Sequence, residues 1–228
     1  MNLLCGSFAV VAALMYNDLT LAFWLIVAGI VFDFFDGFVA RLLHSSSAIR
    51  VQLDSLADVI TSGLAPAAVL WQVCLQTEPC WLPEGWKLGY GVFVLAAFSA
   101  LRLAKFNIDE TQTVEFCGLP TPAGSLLCAS LGMLWQQGML ALSSDGVLLV
   151  AVLTSLLLVS PIRMFALKFH GFGWRGNEVR YLFLLASIVL IIILRTYAIP
   201  VIIVLYIVVS AVRWLCMRSG NPDKAPKA

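Results

Sequence analysis

Four aspartates stand where acids are costly. Asp33 and Asp36 lie in one strongly apolar stretch, and Asp54 and Asp58 lie in the next. An aspartate at the middle of a membrane helix costs roughly 2.5–3.5 kcal/mol on insertion scales. Asp33 and Asp36 are three residues apart, and Asp54 and Asp58 are four apart. Each pair therefore shares one face of a helix. Gly37 and Ala40 fall on the face of the first pair, and Thr61 and Ser62 extend the face of the second. Facing carboxylates repel one another unless cations sit between them. A set of oxygen ligands without histidine or thiolate suits magnesium, manganese or calcium. Two such ions bridged by shared carboxylates form a clamp for displacement at phosphorus. Gly37 and Ala40 leave room for a phosphate ester near the helix backbone, and Arg41 adds a fork that matches phosphate oxygens. A single acid here would read as a hydrogen bond within the bundle, a single glycine as a packing residue and a single arginine as an interfacial anchor. The four acids at these spacings make the metal reading the stronger one.

The elements that position them follow from composition. The chain has 228 residues, 61% hydrophobic and 12% charged. A water-soluble domain sits nearer half apolar and a quarter charged. The sequence therefore predicts an all-α, polytopic membrane helix bundle. About twenty apolar residues span a bilayer as a helix. Eight candidates are present: roughly 2–16, 19–43, 52–75, 87–106, 122–141, 145–167, 178–194 and 197–216. They make one membrane domain over 1–217, followed by a disordered tail over 218–228. The breaks hold Asn17-Asp18, Pro79 to Pro83, Pro120 with Pro122, Ser143 to Gly146, Gly171 to Asn177, and Pro200 near a tight turn. The first span starts without a polar flank or a cleavable signal, which predicts that the native chain begins further upstream.

Charge orients the bundle. With the link at 44–51 in the cytoplasm, twelve of the fourteen Lys and Arg fall at cytoplasmic ends. Only Lys87 and Arg195 fall on the other side. The positive-inside rule then puts both termini in the cytoplasm. Asp33 precedes Arg41 by about 12 Å of helix rise. The acids should therefore meet in a pocket open to the cytoplasm. The six cysteines have no metal-ligand spacing. Cys5, Cys128 and Cys216 read as packed thiols, while Cys74 and Cys80 could be a disulfide or two thiols. His44 and His170 read as interfacial, and Asp109, Glu110 and Glu115 as a solvated loop face.

The string Asp33-Phe-Phe-Asp36-Gly37-Phe-Val-Ala40-Arg41, with Asp54-Ser-Leu-Ala-Asp58 after it, resembles the signature of the CDP-alcohol phosphatidyltransferases. That pattern is D-x-x-D-G-x-x-A-R, eight or nine residues, then G-x-x-x-D-x-x-x-D. Every element matches except the second glycine, where Arg50 stands. Arg50 could crowd the cytidine pocket or could add a phosphate contact. The resemblance implies that Asp33, Asp36 and Asp54, with Asp58 beside them, hold two Mg2+ or Mn2+ ions. It implies Asp58 as the general base, and Asp33, Gly37, Ala40 and Arg41 as contacts to the CDP moiety. It implies CDP-diacylglycerol as donor, a homodimer among membrane lipids, and no nucleic-acid partner. It also implies a bacterial cytoplasmic membrane with the site facing the cytoplasm.

Further stretches resemble the family's serine-accepting branch. They are Asn2-Leu-Leu-Cys-Gly6, Ala100-Leu-Arg-Leu-Ala-Lys-Phe-Asn107, Gly118-Leu-Pro-Thr-Pro-Ala123 and Ser160-Pro-Ile-Arg-Met-Phe-Ala-Leu-Lys168. L-serine is then the expected acceptor, and phosphatidylserine and CMP are the products. Arg102 and Lys105 could bind the serine carboxylate or the lipid phosphate, and Asn107 could meet the serine amino or hydroxyl group. Taken singly, each basic residue, with Arg163 and Lys168, reads as a lipid anchor. Glycerol 3-phosphate and inositol phosphate remain alternative acceptors. A cation transporter built on the carboxylates is a reading from another class. The acids cluster near one face with no polar path onward, which disfavours it. A non-catalytic relative that only binds nucleotide-lipid is a further alternative.

Overall fold

The computed structural model describes residues 1–42, 48–81, 88–108, 115–165 and 177–220. Nine α-helices are present among them. α1 (Asn2–Leu14) and α2 (Leu19–Leu42) come first. α3 (Ala48–Asp58) passes through a π-helical segment, Val59–Leu64, straight into α4 (Ala65–Gln76). A 3-10 turn, Leu88–Phe93, leads into α5 (Val94–Ile108). α6 (Thr121–Gln136) and α7 (Ser144–Leu158) follow. α8 (Glu178–Leu194) and α9 (Ala198–Gly220) close the chain. The helical rods fall mainly within the apolar stretches, because in hydrocarbon a helix satisfies its own backbone.

Four helical stretches are long and apolar enough to cross a membrane: Leu19–Val39, Val51–Gln76, Gly89–Ile108 and Glu178–Cys216. The last has 39 residues and folds back on itself. Arg195 breaks the helix at φ 49°, and the rings of Phe183 and Tyr206, on opposite sides of the break, are 5.8 Å apart. α1 and α7 are shorter apolar helices. The chain is a membrane helix bundle.

Polar side chains begin and end the rods where the sequence breaks. Asp18 accepts from the Leu21 N–H at 2.8 Å and so caps α2. Ser143 accepts from the Gly146 N–H at 3.3 Å at the start of α7. Pro122 stands in the first turn of α6, where its missing N–H costs nothing. At this end of the bundle Gln76 donates to Asn17 at 2.9 Å, and Gln136 accepts from the Thr20 N–H at 3.0 Å. Asp145 accepts from the N–H groups of Cys80 and Trp81, which ties the loop after α4 to α7. All six cysteines are free thiols, so Cys74 and Cys80 are not joined.

α4 sits at the centre, against α1, α6 and α7. Its Val69, Leu70 and Val73 are fully buried and pack with Leu19, Phe23 and Ile26 of α2. Lipid tails are as apolar as these side chains, so close packing supplies the association energy. Small residues allow it. Ala9, Ala12 and Ala13 of α1 are buried, and a Cβ on Gly132 of α6 would overlap Val69 of α4. The outward faces of α2 and α8 carry Phe34, Phe38, Leu185 and Ile192.

One expectation is corrected at the end of α7. The helix does not run to residue 167 but stops at Leu158, ahead of Ser160-Pro161. Proline removes a backbone donor and disfavours helix in the residue before it. The chain then forms a short strand, β2 (Arg163–Phe165), antiparallel to β1 (Glu115–Cys117). Gly118 follows β1 at φ 78°, and its N–H donates to the Ile162 carbonyl at 2.9 Å. The Leu119 N–H donates to the Leu157 carbonyl at 2.9 Å. A Cβ on Gly118 would overlap the Leu158 carbonyl oxygen. The expectations on Lys87, His44, His170, Asp109, Glu110, Lys168 and Arg175, and on the tail from 221, fall outside the described residues.

Gly118 therefore yields a test. Gly118→Ala should destabilise the protein by about 1–3 kcal/mol through strain and overlap, read as a lowered melting temperature in detergent. Gly138→Asn should shift it little, because Gly138 also has positive φ but opens onto free space.

Candidate active site

The acids stand at the end of the bundle where α2 finishes and α3 begins. α2 places Asp33 half-buried and Asp36 exposed. α3 places Asp54 and Asp58, both half-buried. Asp33 interacts electrostatically with Asp54 and Asp36. Asp58 interacts with Asp33, Asp54 and the Arg102 guanidinium. Asp33, Asp54 and Asp58 of the expected four therefore interact across two helices, while Asp36 interacts with Asp33 on its own helix. Among the described residues, no three acids are drawn round one point as a ready coordination sphere. Asn2 of α1 bridges two of them instead. Its Nδ2 donates to Asp58 Oδ1 at 2.8 Å and to Asp33 Oδ1 at 3.3 Å.

The face of Asp54 and Asp58 does not continue through Thr61 and Ser62 as a regular α-helix would carry it. The π-helical turn begins at Val59, directly after Asp58. It swings Thr61 to α1, where the hydroxyl donates to the Asn2 carbonyl at 3.2 Å. Such widened turns break the α-helical register and recur at functional sites. Two glycines admit Thr61. A Cβ on Gly6 would overlap its hydroxyl, and one on Gly29 would lie 2.7 Å from its Cγ2. Gly37 is different, because a Cβ there would meet nothing within 4 Å. The helix surface beside Asp36 is therefore open, as a passage for a phosphate ester requires. Ala40 and Arg41 continue α2. Their side chains, and that of Arg50, lie outside the described part of the structure.

The fourth rod completes one wall. Arg102 of α5 is only 8% exposed. Its Nη1 donates to Thr121 Oγ1 at 3.0 Å, and its charge interacts with Asp58 and Tyr206. Its Nε is buried without a partner. Arg102 is thus not a lipid anchor but an internal cation beside the acids. Lys105, in the last turn of α5, is exposed. Asn107 donates to Ser55 Oγ at 2.8 Å and ties α5 to the helix of Asp54 and Asp58.

The residue chemistry passes the test for divalent ions. The donors are all carboxylate oxygens, Asp36 lies 3.9 Å from the N-terminal ammonium, and one buried cation stands to the side. The four acids fit an oxygen-coordinated ion by type. Asn2, Thr121, Ser55 and Tyr206 were not legible as site residues. Ser55 lies between two of the acids, and Asn2 and Thr121 lie inside the Asn2–Gly6 and Gly118–Ala123 stretches that carry the resemblance, so their neighbourhoods were marked.

Comparison with known proteins agrees with this geometry. The family described as CDP-alcohol phosphatidyltransferase matches residues 1–162. Enzymes of that family are generally dependent on divalent metals. A CDP-diacylglycerol–serine O-phosphatidyltransferase of Bacillus subtilis is 32% identical over 173 residues, covering 75% of this chain and 88% of its own. One of Helicobacter pylori is 31% identical, covering 86% of this chain and 80% of its own. One of Mycobacterium tuberculosis is 32% identical, covering 98% of this chain and 81% of its own.

The Arg102 contact can be tested by itself. Thr121→Val should cost about 1–3 kcal/mol by leaving a buried guanidinium donor unpaired, whereas Thr121→Ser should keep the wild-type stability. Chemical or thermal unfolding in detergent measures both.

Proposed function

The chain belongs to the CDP-alcohol phosphatidyltransferase family, and we propose that it transfers the phosphatidyl group of CDP-diacylglycerol to the hydroxyl of L-serine. The products are phosphatidylserine and CMP. The observation that carries this reading is the coupled set Asp33, Asp54 and Asp58, facing a buried arginine within a motif whose relatives accept serine.

The roles divide as follows. The serine hydroxyl oxygen attacks the phosphorus that bears the diacylglycerol. Asp58 takes the proton of that hydroxyl. The bond from this phosphorus to the bridging oxygen breaks, and CMP leaves with the electron pair. Asp33, Asp36, Asp54 and Asp58 hold a pair of Mg2+ or Mn2+ ions, whose chemistry when bound is to neutralise charge on the pyrophosphate. Asp33, Gly37, Ala40 and Arg41 receive the CDP moiety, and the open helix surface at Gly37 supports that assignment. Arg102 offers a positive charge to the serine carboxylate or the lipid phosphate, with Lys105 and Asn107 nearer the α5 end. The burial of Arg102 beside Asp58 supports its place in the site.

The site faces the cytoplasm in this reading, because twelve of fourteen Lys and Arg then lie on that side. The enzyme works as a homodimer in the bacterial cytoplasmic membrane.

Purified protein with CDP-diacylglycerol and labelled serine should form phosphatidylserine and release CMP, and a chelator should stop both. Asp58→Asn should lower the rate by about 10²–10⁴-fold. Normal turnover by that variant refutes the base assignment. Product from glycerol 3-phosphate but none from serine changes the acceptor and keeps the chemistry. Orientation has its own readout. In sealed right-side-out vesicles, an impermeant maleimide should label the exposed Cys80, and Cys80→Ser should lose that label.

A further inference from the structure

We infer that Asn2 is a positioning residue for the candidate base and its partner acid, and that it sets which oxygen of Asp58 is free to react. The inference rests on the reading of Asp58 as base given above. Asn2 stands in the first turn of α1 and is only 5% exposed. Its carboxamide is oriented by its neighbours. With the oxygen turned to Asp33 and Asp58, three acceptors would face one another. With Nδ2 turned to them, each carboxylate receives one N–H. The structure has the second arrangement.

A neutral group with two donors is what this place requires. A lysine would serve both acids but would compete with any divalent ion. An aspartate would add a like charge. A serine has one proton for two carboxylates. The amide also leaves an asymmetry on Asp58. Oδ1 is engaged at 2.8 Å, and among the described residues no hydrogen bond to Oδ2 is present. Asn2 therefore leaves Oδ2 of Asp58 to accept a proton while it steadies Oδ1.

The backbone that carries the amide is held by Thr61. Thr61 donates to the Asn2 carbonyl at 3.2 Å. Asn2 Oδ1 is buried with no partner among the described residues, on the side of Gly29, where an added Cβ would come within 3.1 Å of it. The chain accepts an unsatisfied buried oxygen at this point, at a cost in stability. That cost is consistent with a group kept for position and not for stability.

Three readouts test this. Asn2→Ala and the size-matched Asn2→Leu should lower kcat about 10–100-fold, the range for outer-shell partners of ligating acids. KM for the lipid and the acceptor should stay within about twofold, because Asn2 is not placed on a substrate. In the absence of any substrate, the Mg2+ or Mn2+ concentration giving half the maximal rise in melting temperature should increase by about 10-fold. A purely structural Asn2 predicts the opposite: a lower melting temperature without ions, with unchanged kcat per folded molecule and an unchanged ion midpoint. That result overturns the inference. If neither variant folds, Thr61→Val carries the same ion readout. It keeps Asn2 and removes the hydroxyl that fixes the Asn2 backbone. A raised midpoint supports the inference, and an unmoved one overturns it. The ion titration contains no acceptor, so it stands apart from whether serine is the substrate.

Discussion

Like charge at low dielectric is the constraint around which this end of the molecule is built. Three interacting carboxylates, Asp33, Asp54 and Asp58, come from two helices that pack in an apolar bundle. Their repulsion falls off slowly where water is scarce. Left alone it would push α2 and α3 apart. Two groups oppose it from outside the acid helices. The Asn2 amide of α1 ties Asp33 to Asp58, and the Arg102 guanidinium of α5 supplies the opposite charge. The first is neutral, and the second stands to the side of the acids.

The packing of the bundle serves that arrangement. Gly6 and Gly29 bring α1 and α2 close enough for Thr61 to sit between them. The π-helical turn that starts at Val59 aims Thr61 there while leaving Asp54 and Asp58 on the regular helix before it. Small residues thus do two things in this fold. They allow the close packing that membrane helices depend on, and they fix the depth and rotation of the acids.

Three stretches far apart in the chain meet on the other wall. Arg102 of α5 donates to Thr121, which opens α6. Gly118, just ahead of it, is tied to Ile162 beyond α7, through a two-stranded ladder. The Phe165 ring in that ladder lies tilted against Tyr206 on α9 with centroids 4.9 Å apart, and the Tyr206 hydroxyl donates to the Phe165 carbonyl at 3.0 Å. Tyr206 in turn lies within electrostatic reach of Arg102. The segments that read as loop punctuation in the sequence are the frame that holds the buried cation in place.

Much of this was legible from composition and spacing. Long apolar runs make membrane helices because hydrocarbon leaves the backbone no other partner. The i, i+3 and i, i+4 placement of the four aspartates puts each pair on one face whatever the rest of the chain does. Those are local consequences of helix geometry, and residue order alone determines them. The partners of the acids were a different matter. Asn2 is a lone amide in an apolar segment, and only the approach of α1 at Gly6 turns it toward Asp33 and Asp58. Arg102 reads equally as an interfacial anchor until the contact with Thr121 shows it buried. The early stop of α7 and the strand after it depend on backbone pairing between residues some fifty positions apart. The π-helical turn after Asp58 shifts a face that a regular period would have continued. Each of these depends on which helices touch and at what depth, and that is decided by the simultaneous packing of all the rods, which no single stretch of sequence contains.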